Sequence, residues 1–481
     1  MLPTNKPLSN SPFSKLYDIL VPKDDFFRRL KEDVDFSFVL DIVKDTYCHN
    51  NGAMAKDPIL MFKLLFLKAY EPLSDVDLIQ RAFSDMRYKF FLDLNPEDEM
   101  PDPSLLTYFR KLRLKDDAIL NQLIVKTLEL AKAKGVLKSK TIILDSTHTK
   151  SAYVPKSPVE QLVDASCRLR KSIYEVDETV KDIMPQKPNS KDFSVNVEYC
   201  KDLINRINNQ VRPKFTNNKI ETRLHYLEEL IDDAHEFSQS SIEKDARIGH
   251  KSKTHAFFGY KNHFAINGDR LITAALISPG NNCDPQYGIP LLEQTMSNGI
   301  EVHRAIGDAA YSSKAIYQFG KDNNIDVVSK LTPQVYNNKI NTFVYDKDAK
   351  MFFCKGGFMA TEKKITHGNK AKYTFDKNNC ITCKYKTTCN PNTEKDKIIY
   401  KPLKGKVRQD LIDYQQSKEF KLKYKERYKI EAKNSELKHQ HGLDVTRARN
   451  THGITIQSAM AFYVVNIKRI YKLLENKENE Q

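Results

Sequence analysis

The chain has 481 residues, 40% of them hydrophobic and 29% charged, which favours about two to four folded domains and excludes a mainly disordered protein. No run approaches the roughly 18–20 apolar residues of a membrane helix, and the polar N-terminus has no signal-peptide core, so we expect a cytoplasmic protein. Eight cysteines exclude a disulfide scaffold in a chain of this length, and the net charge of +15 points to an anionic partner.

Residues 13–135 are predicted to form an N-terminal helical domain. Asp57-Pro58 begins an apolar helix that is expected to end near Tyr70, because Asp caps a helix N-terminus and Pro suits its first turn. Ser104 is predicted to cap a later helix in the same way. The short amphipathic segments indicate a compact unit.

Residues 138–331 alternate predicted strands and helices. The apolar run Lys140–Asp145 predicts a buried strand that ends at Asp145, and a later apolar strand is followed by Asp308. The segments Ala256–Asn267 and Arg270–Ile277 flank a turn and predict a hairpin. This order favours an α/β fold with a mixed sheet and packed helices.

Two insertions interrupt this α/β domain, which is predicted to resume over 408–473. The first, 157–245, is charged and helical in pattern. The second, 333–400, is rich in strand formers, turns and cysteines, and is predicted to be a small β-rich module. An apolar helix near the C-terminus is predicted to pack in the core.

Four cysteines fall within the second insertion. Cys380 and Cys383 have the two-residue spacing typical of zinc ligands, and with Cys354 and Cys389 they predict a structural zinc site. His367 is an alternative ligand for one position. The other interpretation is four reduced thiols without metal.

Three acidic residues and one helical pattern suggest catalytic chemistry. Asp145 and Asp308 follow apolar strands, where ligands of α/β sheets usually bind, and two such carboxylates suit Mg²⁺. A turn or helix cap is the alternative interpretation of each Asp. Tyr424, Arg427, Glu431 and Lys438 are spaced so that one helix would carry all four on one face. A solvated, salt-bridged surface helix is the alternative interpretation of that face.

Positive charge is concentrated in the last quarter of the chain. Residues 361–480 hold 27 Lys and Arg side chains against 14 Asp and Glu, which is nearly all of the excess. Such a field attracts a polyanion, and nucleic acid is the partner that it favours. A lysine-rich surface that only aids solubility is the alternative.

These motifs together resemble the bacterial insertion-sequence transposases of the DDE group that carries the Y-R-E-K signature. The resemblance rests on Asp145 in ILDST, Asp308 in IGDAAY, and the full spacing from Tyr424 to Lys438. DPILMFKLLFLKAY, DPSLLTYFRKLRL, GYKNHFAIN and HGLDVTRARN extend it over residues 15 to 472. Ser146 and Ala310 stand where many relatives have glycine.

The resemblance implies a ribonuclease-H-like fold with helices on both faces of the sheet, and metal-dependent DNA cleavage and strand transfer at the ends of an insertion sequence. Asp145 would bridge two Mg²⁺ or Mn²⁺ ions, with Asp308 on one and Glu431 on the other. A water molecule and then a 3′-hydroxyl would attack the phosphodiester.

The resemblance also implies DNA contacts and partners. Tyr424, Arg427 and Lys438 would contact DNA near the cut, and Arg447 and Arg449 would extend the basic surface. The expected partners are double-stranded DNA, as terminal inverted repeats and target, and a second copy in a homodimer on DNA. The expected location is the bacterial cytoplasm, in association with the nucleoid. A catalytically inactive regulator derived from a transposase is the alternative function, and a nuclease without strand transfer is another.

Overall fold

The structure is a computed structural model, and it describes residues 11–48, 54–152, 158–237, 245–250, 256–331, 343–346, 348–366, 370–390, 394–402, 411 and 413–479. The chain divides into two compact units. The first unit extends up to Ala305 and resumes at Arg427, and the second runs from Ile306 to Glu426. No helix within the described ranges is long and apolar enough to cross a membrane.

Helices fill the described chain before the first strand. They are α1 (Leu16–Leu20), α2 (Phe26–Asp33), α3 (Phe38–Val43), α4 (Pro58–Tyr70), α5 (Asp75–Ser84), α6 (Met86–Phe91), α7 (Ser104–Leu112) and α8 (Ile119–Ala133). The prediction for α4 is confirmed, since the Asp57 carboxylate accepts a hydrogen bond from the Ile59 N–H. The predicted capping role of Ser104 is wrong, because Ser104 is the first helical residue and donates to the Asp102 carboxylate.

The rest of the first unit, before the second begins, contains β1 (Thr141–Ser151), α9 (Pro158–Tyr174), α10 (Phe193–Arg206), α11 (Asn218–Phe237), β2 (Arg247–His250), β3 (Ala256–Asn267), β4 (Ile272–Pro279) and α12 (Gly288–Ser297). The following elements are β5 (Arg304–Gly307), α13 (Lys314–Asp322), β6 (Asp326–Ser329), β7 (Phe343–Asp346), β8 (Met351–Cys354), β9 (Glu362–Thr366), β10 (Lys370–Phe375), α14 (Lys377–Ile381), α15 (Lys386–Cys389) and β11 (Lys397–Pro402). The last elements are α16 (Lys418–Lys425), α17 (Tyr428–Gln440), β12 (Val445–Thr446) and α18 (Thr451–Asn479).

Short helical turns of other types join these elements. They are the 3₁₀ turns Lys44–Thr46, Glu178–Ile183, Asp284–Tyr287 and Ala309–Tyr311, and the π-helical turn Ile207–Val211.

The sheet of the first unit is mixed. Strand β3 is antiparallel to β1 along its length and antiparallel to β4 and β2 on its other edge. Strand β12 is parallel to β1, with Lys150 opposite Val445. The predicted hairpin is confirmed as β3 and β4, and the expectation of a mixed sheet is confirmed with it.

Helix α18 forms the centre of the first unit, as predicted for the apolar C-terminal segment. Tyr463 is buried, with its ring centroid 6.0 Å from that of Phe62 and 5.9 Å from that of Phe66 in α4. The buried Asn466 amide accepts from the Ile272 N–H at 2.7 Å and donates to the Thr127 hydroxyl at 2.8 Å. These contacts fix α18 against the sheet and α8.

Helices α9, α10 and α11 pack on one another within the first predicted insertion. Their own core includes Leu169, Leu203 and Leu227, all fully buried. Three helices with such a core can stay packed without apolar contacts to the sheet.

The second unit contains the cysteine-rich module. Strands β7 and β8 form an antiparallel pair, and β9, β10 and β11 form an antiparallel sheet with β10 in the centre. Phe343, Ala371 and Tyr373 are buried in the small core of this module, and Cys354 and Cys389 pack against it.

Candidate active site

Asp145 lies in the middle of β1, and the prediction that the strand ends there is wrong. Strand β3 pairs with β1 as far as Lys150, so backbone pairing continues past the apolar run. The polar residues that follow are also satisfied, because the buried Thr149 hydroxyl donates to the Leu443 carbonyl and accepts from the Asn262 amide, both at 2.8 Å. Tertiary hydrogen bonds therefore extend the strand beyond its hydrophobic pattern.

Helix α17 presents a polar face to β1. Glu431, Asn434 and Lys438 share that face because their spacings of three and four residues match the helical repeat. The side of the helix next to that face carries the buried Ile430 and Leu437, which anchor it in the first unit. The two elements thus place a strand carboxylate beside a helix that carries another.

The carboxylate of Asp145 is almost buried and is held by named donors. Its side chain is 13% exposed. Its Oδ1 accepts from the Ser146 N–H at 2.9 Å, and its Oδ2 accepts from the Nδ2 of Asn434 at 3.0 Å. Asn434 was not predicted as a site residue. Its position three residues after Glu431 places it on the same helix face, and this spacing could have identified it.

Arg427 contacts both carboxylates of this site in the first unit. Its Nη1 donates to the Oε1 of Glu431 at 2.6 Å, and its Nη2 is 3.6 Å from the Oδ2 of Asp145. The Glu431 side chain is 58% exposed, so its carboxylate remains open to solvent. The structure therefore brings Asp145, Arg427 and Glu431 together.

Lys438 lies at the other end of the same helix face. Its Nζ is 3.3 Å from both ring nitrogens of His148 in β1 and 3.9 Å from the Oδ1 of Asp444. Its side chain is 14% exposed. The ammonium thus sits close to β1, one turn beyond Asn434.

Tyr424 lies on α16, Glu431 and Lys438 lie on α17, and Arg427 is the N-cap of α17, so the prediction of one continuous helix is wrong. Helix α16 ends at Lys425, and α17 begins only at Tyr428. At the break, the Glu426 N–H bonds to the carbonyl of Lys423, three residues back, and the α-helical pattern is interrupted. Within the second unit the Tyr424 ring stacks on Phe420, with 5.4 Å between centroids.

Asp308 follows β5, as predicted, and belongs to the second unit. Its Oδ1 accepts from the Ala310 N–H at 2.8 Å, which caps the 3₁₀ turn over Ala309–Tyr311. Gly307 precedes it because a Cβ there would lie 2.8 Å from the Cβ of the buried Tyr311. The close packing of Tyr311 thereby fixes the backbone at Asp308.

The two predicted arginines after β12 differ in exposure. Arg447 is exposed, with its guanidinium carbon 5.9 Å from the centre of the Tyr226 ring. Arg449 is only 7% exposed. Of the two, Arg447 is the one whose side chain reaches solvent.

The four cysteines of the second unit gather around the turn after β8. A Cβ on Gly356 would lie 3.0 Å from the Sγ of Cys383 and 3.5 Å from the Sγ of Cys354. Burial raises the pKa of the Cys389 thiol, and the neighbouring thiols of Cys380, Cys354 and Cys383 also raise it. The thiols of Cys354, Cys380 and Cys383 are therefore all close enough to Cys389 to affect its protonation.

None of these four cysteines forms a disulfide. Tetrahedral zinc, with Zn–S bonds of about 2.3 Å, brings thiolates to within about 3.8 Å of one another. Among the described residues, no three of these sulfur atoms lie within 4.8 Å of one another. The predicted alternative ligand His367 lies outside the described residues.

A second cluster of ligand-type side chains lies in the first unit. Ligand atoms of Asp75, His225 and Glu229 lie within 4.8 Å of one another. The buried Asp75 carboxylate already forms ion pairs with Lys68 and with Arg110, whose Nη2 is 2.7 Å from Oδ2. These cations neutralise the cluster, so it joins α5 and α7 to α11 as an ion-pair network.

The neighbouring charges shift the pKa values of Asp75 and His225. Burial raises the pKa of Asp75, but the charges of Arg110 and Lys68 outweigh it and hold the pKa well below its usual range. Burial lowers the pKa of His225, but the hydrogen bond to Asp75 and the charge of Glu229 outweigh it, and the pKa is raised. Both shifts favour the charged forms of the two side chains.

The donor set around Asp145 fits a hard divalent cation better than this network does. Carboxylate and amide oxygens are the ligands that Mg²⁺ and Mn²⁺ take. The Oδ1 of Asn434 is buried and, among the described residues, has no hydrogen-bond partner. Such an orphaned oxygen beside two carboxylates is compatible with a cation-binding site.

Two family models each match a segment of the chain. The transposase domain (DUF772) matches residues 15–112, and the transposase DDE domain matches residues 227–467, half of the chain. No curated protein and no solved structure matches the chain significantly. The DDE domain implies a ribonuclease-H-like fold, which agrees with the mixed sheet and its packed helices. The chain therefore belongs to the DDE transposase family of insertion sequences.

Proposed function

We propose that the protein cuts DNA at the ends of an insertion sequence and joins the freed ends to target DNA, using Asp145, Asp308 and Glu431. The observation that carries the proposal is the side-by-side placement of Asp145 in β1 and Glu431 in α17, both in contact with Arg427. A strand carboxylate and a helix carboxylate so placed suit phosphodiester chemistry.

The three carboxylates would hold two divalent cations, Mg²⁺ or Mn²⁺, which when bound supply activation of the attacking oxygen and stabilisation of the leaving oxygen. The residues around them prepare the site. Ser146 and Asn434 fix both oxygens of Asp145 by hydrogen bonds. The 3₁₀ turn fixes Asp308 through its bond to the Ala310 N–H.

Arg427 and Lys438 would bind the phosphates beside the cut. In the DNA-free protein Arg427 neutralises Asp145 and Glu431, so its guanidinium occupies the side of the site where positive charge is needed. When cations are bound, that neutralisation becomes redundant, and the planar guanidinium is free to pair with a phosphate. Tyr424 would stack against DNA or bond to it, and Arg447 would extend the contact along the backbone.

Double-stranded DNA is the proposed partner, as the terminal repeats of the element and as target, with two copies of the chain acting together on it. The support is the excess of Lys and Arg over residues 361–480. Binding should therefore weaken steeply as the salt concentration rises.

The competing function is a regulator that binds DNA without cutting it. Both functions predict DNA binding, and only the first needs the carboxylates. The test is cleavage of DNA that carries the element's own flanking ends, in Mg²⁺ or Mn²⁺, by wild type and by Glu431→Gln. Glu129→Gln on α8 is the matched control, because the side chains of Glu129 and Glu431 are equally exposed at 58%.

The expected result is end-specific cleavage and strand transfer by wild type and Glu129→Gln, and binding without cleavage by Glu431→Gln. Cleavage without strand-transfer products would show that the protein is a nuclease that does not join DNA ends. Binding of the ends without cleavage by all three proteins would establish the regulator.

We also propose that Cys354, Cys380, Cys383 and Cys389 bind one structural Zn²⁺ ion. The support is the placement of the Cys354 and Cys383 sulfur atoms beside Gly356 and the effect of the other three thiols on the pKa of Cys389. The N–H of Tyr385 is also 3.5 Å from the Sγ of Cys383. Metal binding would draw the thiolates into a tetrahedron and release their protons.

Elemental analysis of the purified protein tests this site. About one zinc per chain is expected in wild type and in Cys167→Ser, and none in the double variant Cys380→Ser with Cys383→Ser. Cys167 is a suitable control because it is an exposed thiol far from the module in sequence. Zinc-free wild type with four titratable thiols would contradict the proposal.

A further inference from the structure

Asn434 links α17 to the carboxylate of Asp145. Its Nδ2 donates to the Oδ2 of Asp145 at 3.0 Å, across 289 residues of sequence. The other oxygen of Asp145 is held by the Ser146 N–H, so the two bonds together fix the carboxylate plane. Ser146 is the neighbour of Asp145 in β1, whereas Asn434 reaches the carboxylate from α17.

The amide of Asn434 has one favourable orientation in the absence of metal. Turning it over would place its oxygen against the Asp145 carboxylate, and two acceptors would then face each other. In the observed orientation its Oδ1 is buried without a hydrogen-bond partner among the residues that the structure describes. The donor contact to Asp145 therefore decides which way the amide lies.

Carboxylates that bind metals are themselves oriented by hydrogen bonds, and loss of such a partner typically weakens metal affinity by about 10–100-fold. Asn434 supplies such a bond from the helix that also carries Glu431.

We propose that Asn434 is a positioning residue, which orients Asp145 for divalent-cation binding through the bond from Nδ2 to Oδ2. The proposal takes from the proposed function only the assumption that Asp145 binds a divalent cation. It does not require that the protein cut DNA.

The test measures Mn²⁺ affinity of the full chain without DNA, by electron paramagnetic resonance, for wild type and three variants. Asn434→Leu keeps the volume of the side chain and removes the donor. Asn434→Asp replaces the donor with a second anion. Asn434→His restores a donor, because an imidazole N–H can reach an acceptor in place of the amide.

Mn²⁺ affinity is expected to fall about 10–100-fold in Asn434→Leu and to recover at least in part in Asn434→His. Affinity should fall in Asn434→Asp as well, because that variant lacks the donor. Thermal unfolding of Asn434→Leu should occur below the wild-type temperature, because the nearly buried Asp145 carboxylate loses a donor, and Asn434→His should recover part of the loss.

Unchanged Mn²⁺ affinity in Asn434→Leu would overturn the proposal. Tighter binding by Asn434→Asp would also overturn it, and would make residue 434 a direct ligand. A wild-type protein that binds no Mn²⁺ would contradict both Asn434's role and the metal site. A wild type that binds Mn²⁺ but cuts no DNA would contradict the proposed function while leaving the role of Asn434 to be decided by the affinities.

Discussion

Arg427 donates to Glu431 across one helical turn at 2.6 Å, and its other terminal nitrogen points to Asp145 at 3.6 Å. One guanidinium therefore serves two carboxylates that we assign to metal binding. In this arrangement a protein cation stabilises the site before divalent cations and DNA arrive.

Arg427→Ala should separate metal binding from catalysis. Cleavage of end-bearing DNA is expected to fall about 100-fold, because a charge-stabilising donor near the reacting phosphate is lost. Mn²⁺ affinity should stay the same or increase, because the guanidinium no longer competes for the carboxylates. Kinetic assays and Mn²⁺ titration measure the two effects.

Arg212→Ala is the control for this variant, since Arg212 forms a comparable pair with Glu221, with 2.8 Å between Nη2 and Oε2, in the helical insertion. It should leave both quantities unchanged. A loss of Mn²⁺ affinity in Arg427→Ala would show instead that the arginine organises the carboxylates.

Gly307→Ala should displace the Asp308 carboxylate while leaving residue 308 itself an aspartate. The added Cβ would lie 2.8 Å from the Cβ of Tyr311, so the turn that carries Asp308 must shift. Cleavage is expected to fall at least about tenfold, because misplacement by about 1 Å is costly for in-line chemistry. DNA binding, measured by gel shift, should be retained.

Gly299→Ala is the matched control for Gly307→Ala. Gly299 has a φ of +80°, so alanine there is strained, but no atom lies within 4 Å of its added Cβ. It should lower the unfolding temperature and leave cleavage intact. Equal loss of cleavage in both variants would attribute the effect to general destabilisation.

Asp75→Asn should destabilise the first unit strongly. The substitution leaves the charges of Lys68 and Arg110 without their buried partner, which typically costs about 3–5 kcal/mol. Urea unfolding measures the change. Asp41→Asn, at a pair whose Asp side chain is 80% exposed, should change stability by less than about 0.5 kcal/mol. Similar effects at the two sites would contradict the role of the buried network.

The contribution of His225 to stability should depend on pH. Its pKa is raised in the folded protein, so its stabilising effect is fully present below the unfolded pKa and is lost as pH rises through the folded pKa. The stability difference between wild type and His225→Gln should therefore be larger at pH 6 than at pH 9. His303→Gln, at an exposed pair, is the control. A difference that grows with pH would contradict the assigned direction of the shift.

Local signals in the sequence predicted local structure well. Asp57-Pro58 determines the start of α4 by itself, because a cap and a first-turn proline act within a few residues. The extent of β1 was missed because it depends on β3, more than a hundred residues away. The break between α16 and α17 was missed because Glu426 and Arg427 keep helical backbone dihedrals, and only the hydrogen-bond pattern changes there.

In the candidate site, too, contacts between neighbours in the sequence could be predicted and contacts between distant segments could not. Glu431 and Arg427 were predictable because their spacing of four residues is a helical contact. The contact of Asn434 with Asp145 was not, since no short-range pattern specifies which side chain of a helix meets a given strand residue. The network of Asp75 and His225, 150 residues apart, was invisible for the same reason.

The most direct test of the central claim is to map the bound metal on the polypeptide. Fe²⁺ in place of Mg²⁺, with ascorbate and peroxide, produces radicals that cut the backbone only near the ion. We predict cuts near Asp145, Asp308 and Glu431 that excess Mg²⁺ suppresses. Cuts only near Asp75 and His225, or none at the three acids, would contradict the account.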